Sequence, residues 1–136
     1  MLVEEIMTSE PLTVETNQSI REALSTMHDA DIRHLPVVSE GVLIGMLSDR
    51  DLKEFTLPLD RELDTGGDPF SRLETRLGDI VQGDVLSVPP SAEVSEVIDL
   101  MVEHKVGAIP VTNATDGALV GIVSYIDVLQ AAQDIL

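Results

Sequence analysis

Two short strings hold the residues best suited to chemistry. Ser48 and Asp51 close the string Gly45-Met46-Leu47-Ser48-Asp49-Arg50-Asp51, and Ser124 and Asp127 close Gly121-Ile122-Val123-Ser124-Tyr125-Ile126-Asp127. A Ser followed three residues later by an acid at a helix start can form a variant of the capping box, in which each side chain satisfies a backbone N–H. A carboxylate there can instead accept hydrogen bonds from two neighbouring hydroxyls of a ligand, while the helix N-terminus offers free N–H groups to phosphate. Either Ser taken singly reads as a cap. Recurrence of the Asp after a glycine, two apolar residues and a Ser moves that residue toward ligand binding.

The cations around these strings are unequal. Arg33, His34 and Arg50 accompany the first, whereas the aligned positions of the second hold Gly107, Ala108 and Ile126. An anionic group would therefore be held better beside the first. The competing expectation pairs Arg33 and Arg50 with Asp31, Asp49 or other surface acids, contacts that are common and individually weak. His28, His34 and His104 show no metal-ligand spacing, so no structural metal is expected. Nothing resembles a P-loop, a nucleophile elbow or a zinc-protease helix. Asp49 and Asp51, two apart on a helix, point to different faces and make no acid–base pair. The chain is not expected to be an enzyme.

The elements that must position these residues occur twice. Ile6 recurs as Ile80, Met27 as Met101 and Pro36 as Pro110, each 74 positions on, while Gly45, Ser48 and Asp51 recur 76 positions on. A turn longer by two residues, Asn113-Ala114-Thr115-Asp116-Gly117 in place of Ser39-Glu40-Gly41, accounts for the change. Each copy reads as a short extended stretch (Leu12 to Val14; Leu86 to Val88), then a helix with Asn17 or Ser91 as N-cap. Helically spaced apolar positions follow: Ile20, Ala23, Leu24 and Met27, then Val94, Val97, Ile98 and Met101. Two β-rich runs separated by a Gly-containing turn form a hairpin in each copy, Leu35 to Val38 with Val42 to Leu47 and Ile109 to Thr112 with Ala118 to Val123. A second helix opens at each Ser-x-x-Asp. The unit is β-α-β-β-α, present twice.

Domains are expected at 1–56 and 79–136, with 57–78 as a linker. Within it Asp68 would cap a short helix, Pro69 would occupy its first position, Phe70, Leu73 and Leu77 would share one face, and Gly78 would end it. Asn17-Gln18-Ser19 and Asn113-Ala114-Thr115 match the glycosylation pattern but read as a cap and a turn.

Composition bounds the partners. The 136 residues include 25 Asp plus Glu against 8 Lys plus Arg, a formal charge of −17. Nucleic acid and anionic membrane are disfavoured. At 43% hydrophobic, the chain has enough apolar surface to fold. It has no cysteine, which removes thiol nucleophiles, disulfides and thiolate metal sites and fits a reducing cytoplasm. No signal peptide or membrane-spanning run is read. The acidic excess, with only Lys53 and Lys105 as lysines, hints at a high-salt cytoplasm.

With its telling residues in view, Arg33-His34-Leu35-Pro36-Val37-Val38 and Gly107-Ala108-Ile109-Pro110-Val111 ahead of the two Ser-x-x-Asp strings, the sequence resembles a tandem pair of cystathionine-beta-synthase (CBS) domains, a Bateman module. The resemblance spans roughly Val3 to Gln130. It implies an α/β (α+β) fold of two repeats packed as a pseudo-twofold pair, with clefts between the repeats that in many relatives bind AMP, ADP, ATP or S-adenosylmethionine. It implies that Asp51 and Asp127 bind ribose hydroxyls and that Ser48 and Ser124 contact ribose or phosphate. The backbone around Thr13, Val14, Ile32, Arg33, His34 and Pro36, and around Ser87, Val88, Val106, Ala108 and Pro110, would line the adenine pockets. Arg33, His34 and Arg50 would favour phosphate, so unequal sites are expected. No cofactor is obligatory, and magnesium would enter only with a polyphosphate. The implied role is a stand-alone sensor that forms a homodimer and signals to an unidentified protein target. The alternative is a ligand-free structural dimerisation module.

Overall fold

A computed structural model describes residues 1–56, 71–81 and 85–136. Strands β1 (Thr8–Ser9), β2 (Val14–Glu15), β3 (His34–Ser39), β4 (Val42–Ser48), β5 (Ala108–Thr112) and β6 (Leu119–Ser124) are interspersed with helices α1 (Ile20–Ala30), α2 (Asp49–Thr56), α3 (Val94–His104) and α4 (Tyr125–Ile135). The strands form two three-stranded sheets, ordered β2-β3-β4 and β1-β6-β5. The mixed α/β class and the duplicated order of elements are those expected from the sequence.

The β1-β6-β5 sheet is antiparallel throughout, whereas the other sheet contains a parallel pair. β2 runs parallel to β3 with Val14 opposite Val37, and β5 runs antiparallel to β6 with Ile109 opposite Val123. The extended stretch that should open the second repeat shortens to a parallel bridge between Val88 and Val111. The first hairpin turns through Glu40 and Gly41, both at positive φ, as a two-residue loop in a right-twisted ladder requires.

Helical periodicity delivers the expected apolar face in α1 but only part of it in α3. In α3 Val97 is buried and Met101 packs against the core, while Ile98, expected there too, is 41% exposed because it lies on the side of the helix turned away from the core. Ile20, Ala23 and Met27 of α1 join Val14, Leu35, Val37, Leu47, Leu52 and Leu77 in one core. Val97 of α3 joins Val3, Val88, Ala92, Ile109, Val111 and Val123 in another. Burying each such side chain contributes roughly 1.5–3 kcal/mol before entropy is counted. Both helices end on a left-handed residue, Asp31 at φ 53° and Lys105 at φ 55°, whose N–H returns to the preceding turn.

The helix starts differ from expectation. Ser19 caps α1, accepting from the Glu22 N–H at 3.2 Å, and Glu93 stands at the start of α3 without a side-chain cap bond. Asn17 and Ser91 are not the caps. The cause is a distant segment: the N–H of Ile20 bonds Thr75 O, Leu77 N–H bonds Gln18 O, and Gly78 N–H bonds Thr16 O. These bonds hold residues 16–18 in a turn, closed by Gln18 N–H to Glu15 O, so that the helix starts only after Ser19.

The same bonds define two compact units. One comprises Leu12–Ser39, 44–56 and 71–81; the other comprises Met1–Pro11, Glu40–Leu43 and Val85–Leu136. In the second, Val94 N–H bonds Met1 O, Val3 N–H bonds Ala92 O, and Glu4 N–H bonds Pro90 O. Every donor and acceptor here lies 74 positions from its counterpart in the first-repeat unit. Each repeat is thus completed by the segment that precedes the other repeat in the chain. Between the repeats, Ser71–Glu74 and Leu77–Asp79 form 3-10 turns. Gly78 sits inside the second turn, where a Cβ would stand 3.3 Å from Thr16, and does not end a helix. The expected roles of Asp68, Pro69 and Phe70 lie outside the described residues.

Candidate functional site

Both Ser-x-x-Asp strings fold into closed capping boxes. The Asp51 N–H donates to Ser48 Oγ at 2.9 Å and the Ser48 N–H to Asp51 Oδ2 at 3.2 Å. The Asp127 N–H donates to Ser124 Oγ at 3.2 Å, and Asp127 Oδ2 accepts from the Ser124 N–H at 2.8 Å and from Ser124 Oγ at 3.1 Å. In both boxes Oδ1 has no partner among the described residues. A carboxylate offers about four lone-pair positions, so capping leaves room for hydroxyl donors.

The first backbone N–H of each helix is also engaged. Asp49 N–H bonds Arg33 O at 2.8 Å, and Tyr125 N–H bonds Gly107 O at 2.9 Å. With the third N–H taken by the Ser, the amide of Arg50 or Ile126 is left at the helix start without an internal partner among the described residues. The tie also fixes the chain just before β3 and β5 against the Asp-bearing helix. Ile32 and Val106, one residue earlier, donate to Met27 O and Met101 O.

Buried side chains narrow what the adenine-lining residues can offer. Val14, Pro36, Val88, Ala108 and Pro110 are buried, so they present backbone alone, whereas Thr13 and Ser87 are exposed. Pro36 and Pro110 lack the N–H that would extend the ladder toward Leu12 and Leu86. The last rung in the second repeat is Val88 N–H to Pro110 O at 3.1 Å, and the Leu86 carbonyl finds no donor among the described residues. Backbone polar groups at this edge stay available to a ligand. Ser87 Oγ accepts from Thr112 Oγ1 at 3.2 Å, an engagement the sequence did not signal.

The basic group separates. Burial holds the half-buried His34 below the usual histidine range; Asp51 opposes that shift and Arg33 reinforces it. These three residues share one electrostatic neighbourhood. Arg33 makes no ion pair among the described residues. Arg50 instead lies along α2 beside Glu54 at 3.7 Å, 88% exposed, and Lys53 pairs with Asp49 at 3.1 Å. Arg50 thus pairs with a surface acid, as one of the two expectations had it, and that acid is Glu54.

The second-repeat unit adds residues that the motif did not mark. A cavity of about 290 Å³ is lined by Met1, Glu5, Ile6, Asp127, Gln130, Ala131 and Asp134. The signal was present in the 74-residue offset, which places the segment before each repeat in the same relation to it. Among the described residues no cluster of His, Asp and Glu is arranged to hold a metal, and no helix is long and apolar enough to cross a membrane.

A CBS domain model matches this chain twice, over residues 3–57 and 77–134. The chain belongs to the CBS domain family. Its two CBS domains are similar along 92% of the chain to the CBS domain-containing protein YhcV of Bacillus subtilis (strain 168), at 33% identity over 125 residues and 81% of that protein. CBSX2, solved in complex with AMP, matches with a TM-score of 0.80 and 29% identity over 98% of this chain and 97% of that one. The CBS domain pair of MJ0100, solved with 5′-methylthioadenosine and S-adenosyl-L-methionine, matches with a TM-score of 0.75 and 25% identity over 97% and 99%. Several other curated relatives of this CBS pair are longer enzymes; it spans 22% of a homoserine O-acetyltransferase of Methanocorpusculum labreanum.

Proposed function

We propose that this CBS pair is a regulatory module that binds an adenosine-containing ligand, of the class of AMP, ADP, ATP or S-adenosylmethionine, through Asp51 and Asp127. The observation that carries the reading is the open Oδ1 of each Asp, held by a closed capping box at the start of a helix whose first N–H is tied to the chain just before β3 or β5. A ribose diol would donate to the carboxylate, and the adenine edge would meet backbone N–H and C=O groups around Thr13 and Ser87. The AMP and S-adenosylmethionine held by CBSX2 and MJ0100 support this ligand class. The role is binding without turnover.

Ligand control needs two arrangements of different affinity for the ligand. The arrangement read by a partner is the geometry of a homodimer. Its contact is the apolar surface of the second-repeat unit, where Val102 is 73% and Leu129 59% exposed. A cytoplasmic location suits the cysteine-free, strongly acidic chain.

A second reading has its own support: the capping boxes account for all four Ser and Asp residues as structural, leaving a ligand-free dimerisation module. A thermal-shift panel of AMP, ADP, ATP with and without magnesium, NAD and S-adenosylmethionine separates the two. At 100 times its dissociation constant a ligand adds about 2.7 kcal/mol, a rise of several degrees. The sensor reading expects that rise for at least one adenosyl ligand and its loss in Asp51→Ala or Asp127→Ala. No rise with any ligand makes the module a scaffold.

A further inference from the structure

The two Asp-bearing sites share a backbone frame but not its charge. Arg33 O and Gly107 O accept the first N–H of their helices at 2.8 and 2.9 Å, so the residues that follow them, His34 and Ala108, begin β3 and β5 from equivalent places. Arg50 and Ile126 likewise occupy the second position of α2 and α4. The substitutions of Arg33 by Gly107, His34 by Ala108 and Arg50 by Ile126 therefore change chemistry in place.

Resting on the adenosyl-binding reading above, we infer that the two sites select ligands by charge: the Asp51 site takes a phosphate-bearing nucleotide, and the Asp127 site takes a nucleoside without phosphate. Beside Asp51 a phosphate meets Arg33, which has no acid partner among the described residues, and Arg50, whose single exposed partner at 3.7 Å is readily exchanged. The guanidinium fork suits phosphate oxygens in a chain otherwise rich in carboxylates. Beside Asp127 a phosphate meets half-exposed Tyr125 and Ile126 and a cavity of about 290 Å³ bordered by Glu5, Asp127 and Asp134. The Met1 ammonium that reaches this unit is bonded to Glu93 at 3.2 Å. The carboxylates of Glu5, Asp127 and Asp134 outnumber the one ammonium of Met1, itself paired with Glu93, so they repel a phosphate and tolerate an uncharged or positively charged 5′ substituent.

Isothermal titration of the full chain with AMP and with adenosine tests this, using Arg33→Ala, Asp51→Asn and Asp127→Asn with circular dichroism to confirm folding. The expected result is that AMP binding disappears in Asp51→Asn and persists in Asp127→Asn, while a second adenosine equivalent disappears in Asp127→Asn. Arg33→Ala should weaken AMP about tenfold and adenosine much less. Because Arg33 is exposed and caps nothing, its variant reads charge selection even if an Asp variant loses structure. AMP binding that follows Asp127, or is unmoved by Arg33→Ala, overturns the charge selection alone. Failure of both ligands to bind overturns the adenosyl reading and this inference with it.

Discussion

Gly121 lies directly against Met7: a Cβ on Gly121 would stand 2.6 Å from the Met7 sulfur and 3.0 Å from the Thr8 carbonyl oxygen. In the first-repeat unit Gly45 meets Val81 in the same way, 74 positions on from Met7. The glycine that opens each Gly-x-x-Ser string thus admits the segment that completes its unit, and its role is packing.

Gly121→Ala should destabilise the chain by roughly 1–3 kcal/mol, because the Thr8 backbone cannot yield as the Met7 side chain can. Denaturant titration measures it. Gly45→Ala should cost at least as much, since Val81 is β-branched and stiff. Adding Met7→Ala to Gly121→Ala should recover part of the loss in a double-mutant cycle; strict additivity would show that the two residues do not meet.

Ser48→Ala and Ser124→Ala each remove an acceptor for the third helical N–H. A loss of about 1 kcal/mol is expected from either change in the absence of any ligand. Unchanged unfolding midpoints would mean that the serines are held for ligand contact alone.

His34 makes stability depend on pH. Burial lowers its folded-state pKa below the ordinary 6.5, so the unfolded chain takes up the proton first. Its contribution is complete above about 6.5 and is lost as pH falls toward the lower folded value. His34→Gln should flatten the stability profile in that window. A phosphate beside His34 would favour its protonated form, so between about pH 8 and 6 AMP affinity in the native chain should rise relative to His34→Gln, in which only the ligand's own phosphate titrates. An identical profile in both proteins would remove His34 from the site.

A formal charge of −17, which 8 Lys plus Arg cannot offset against 25 Asp plus Glu, leaves net self-repulsion in the folded state. Raising potassium chloride from about 0.05 to 1 M, which shortens the Debye length to roughly 3 Å, should raise the thermal midpoint. A midpoint that falls with salt would show that the surface ion pairs outweigh the repulsion.

Val102→Glu places a charge on the most exposed part of the α3 apolar surface. With the homodimer contact proposed above, sedimentation should shift from dimer to monomer while the intrinsic unfolding free energy changes by less than about 0.5 kcal/mol. A dimer that survives this change together with Leu129→Glu would place the contact elsewhere.

What the sequence determined by itself is local. Ile20, Ala23 and Met27 recur at helical spacing and become a buried face; Glu40-Gly41 supplies the positive φ of a two-residue turn; Ser48 with Asp51 and Ser124 with Asp127 bond to backbone three residues away. The candidate Ser and Asp residues, and the cations that distinguish the repeats, were legible for the same reason. Only the tertiary structure decided which oxygen of each Asp stays open, that Arg50 turns to Glu54, that Val14 and Val88 are buried, and where α1 and α3 begin. Ser19 caps α1 because Thr75, Leu77 and Gly78 bind the residues around it, and Val3 completes a core whose other members begin at Val88. Local bonds follow from residue type and spacing. Contacts between segments distant in the chain depend on which strand edge and which core is free to receive them, and that is settled only when the whole chain packs.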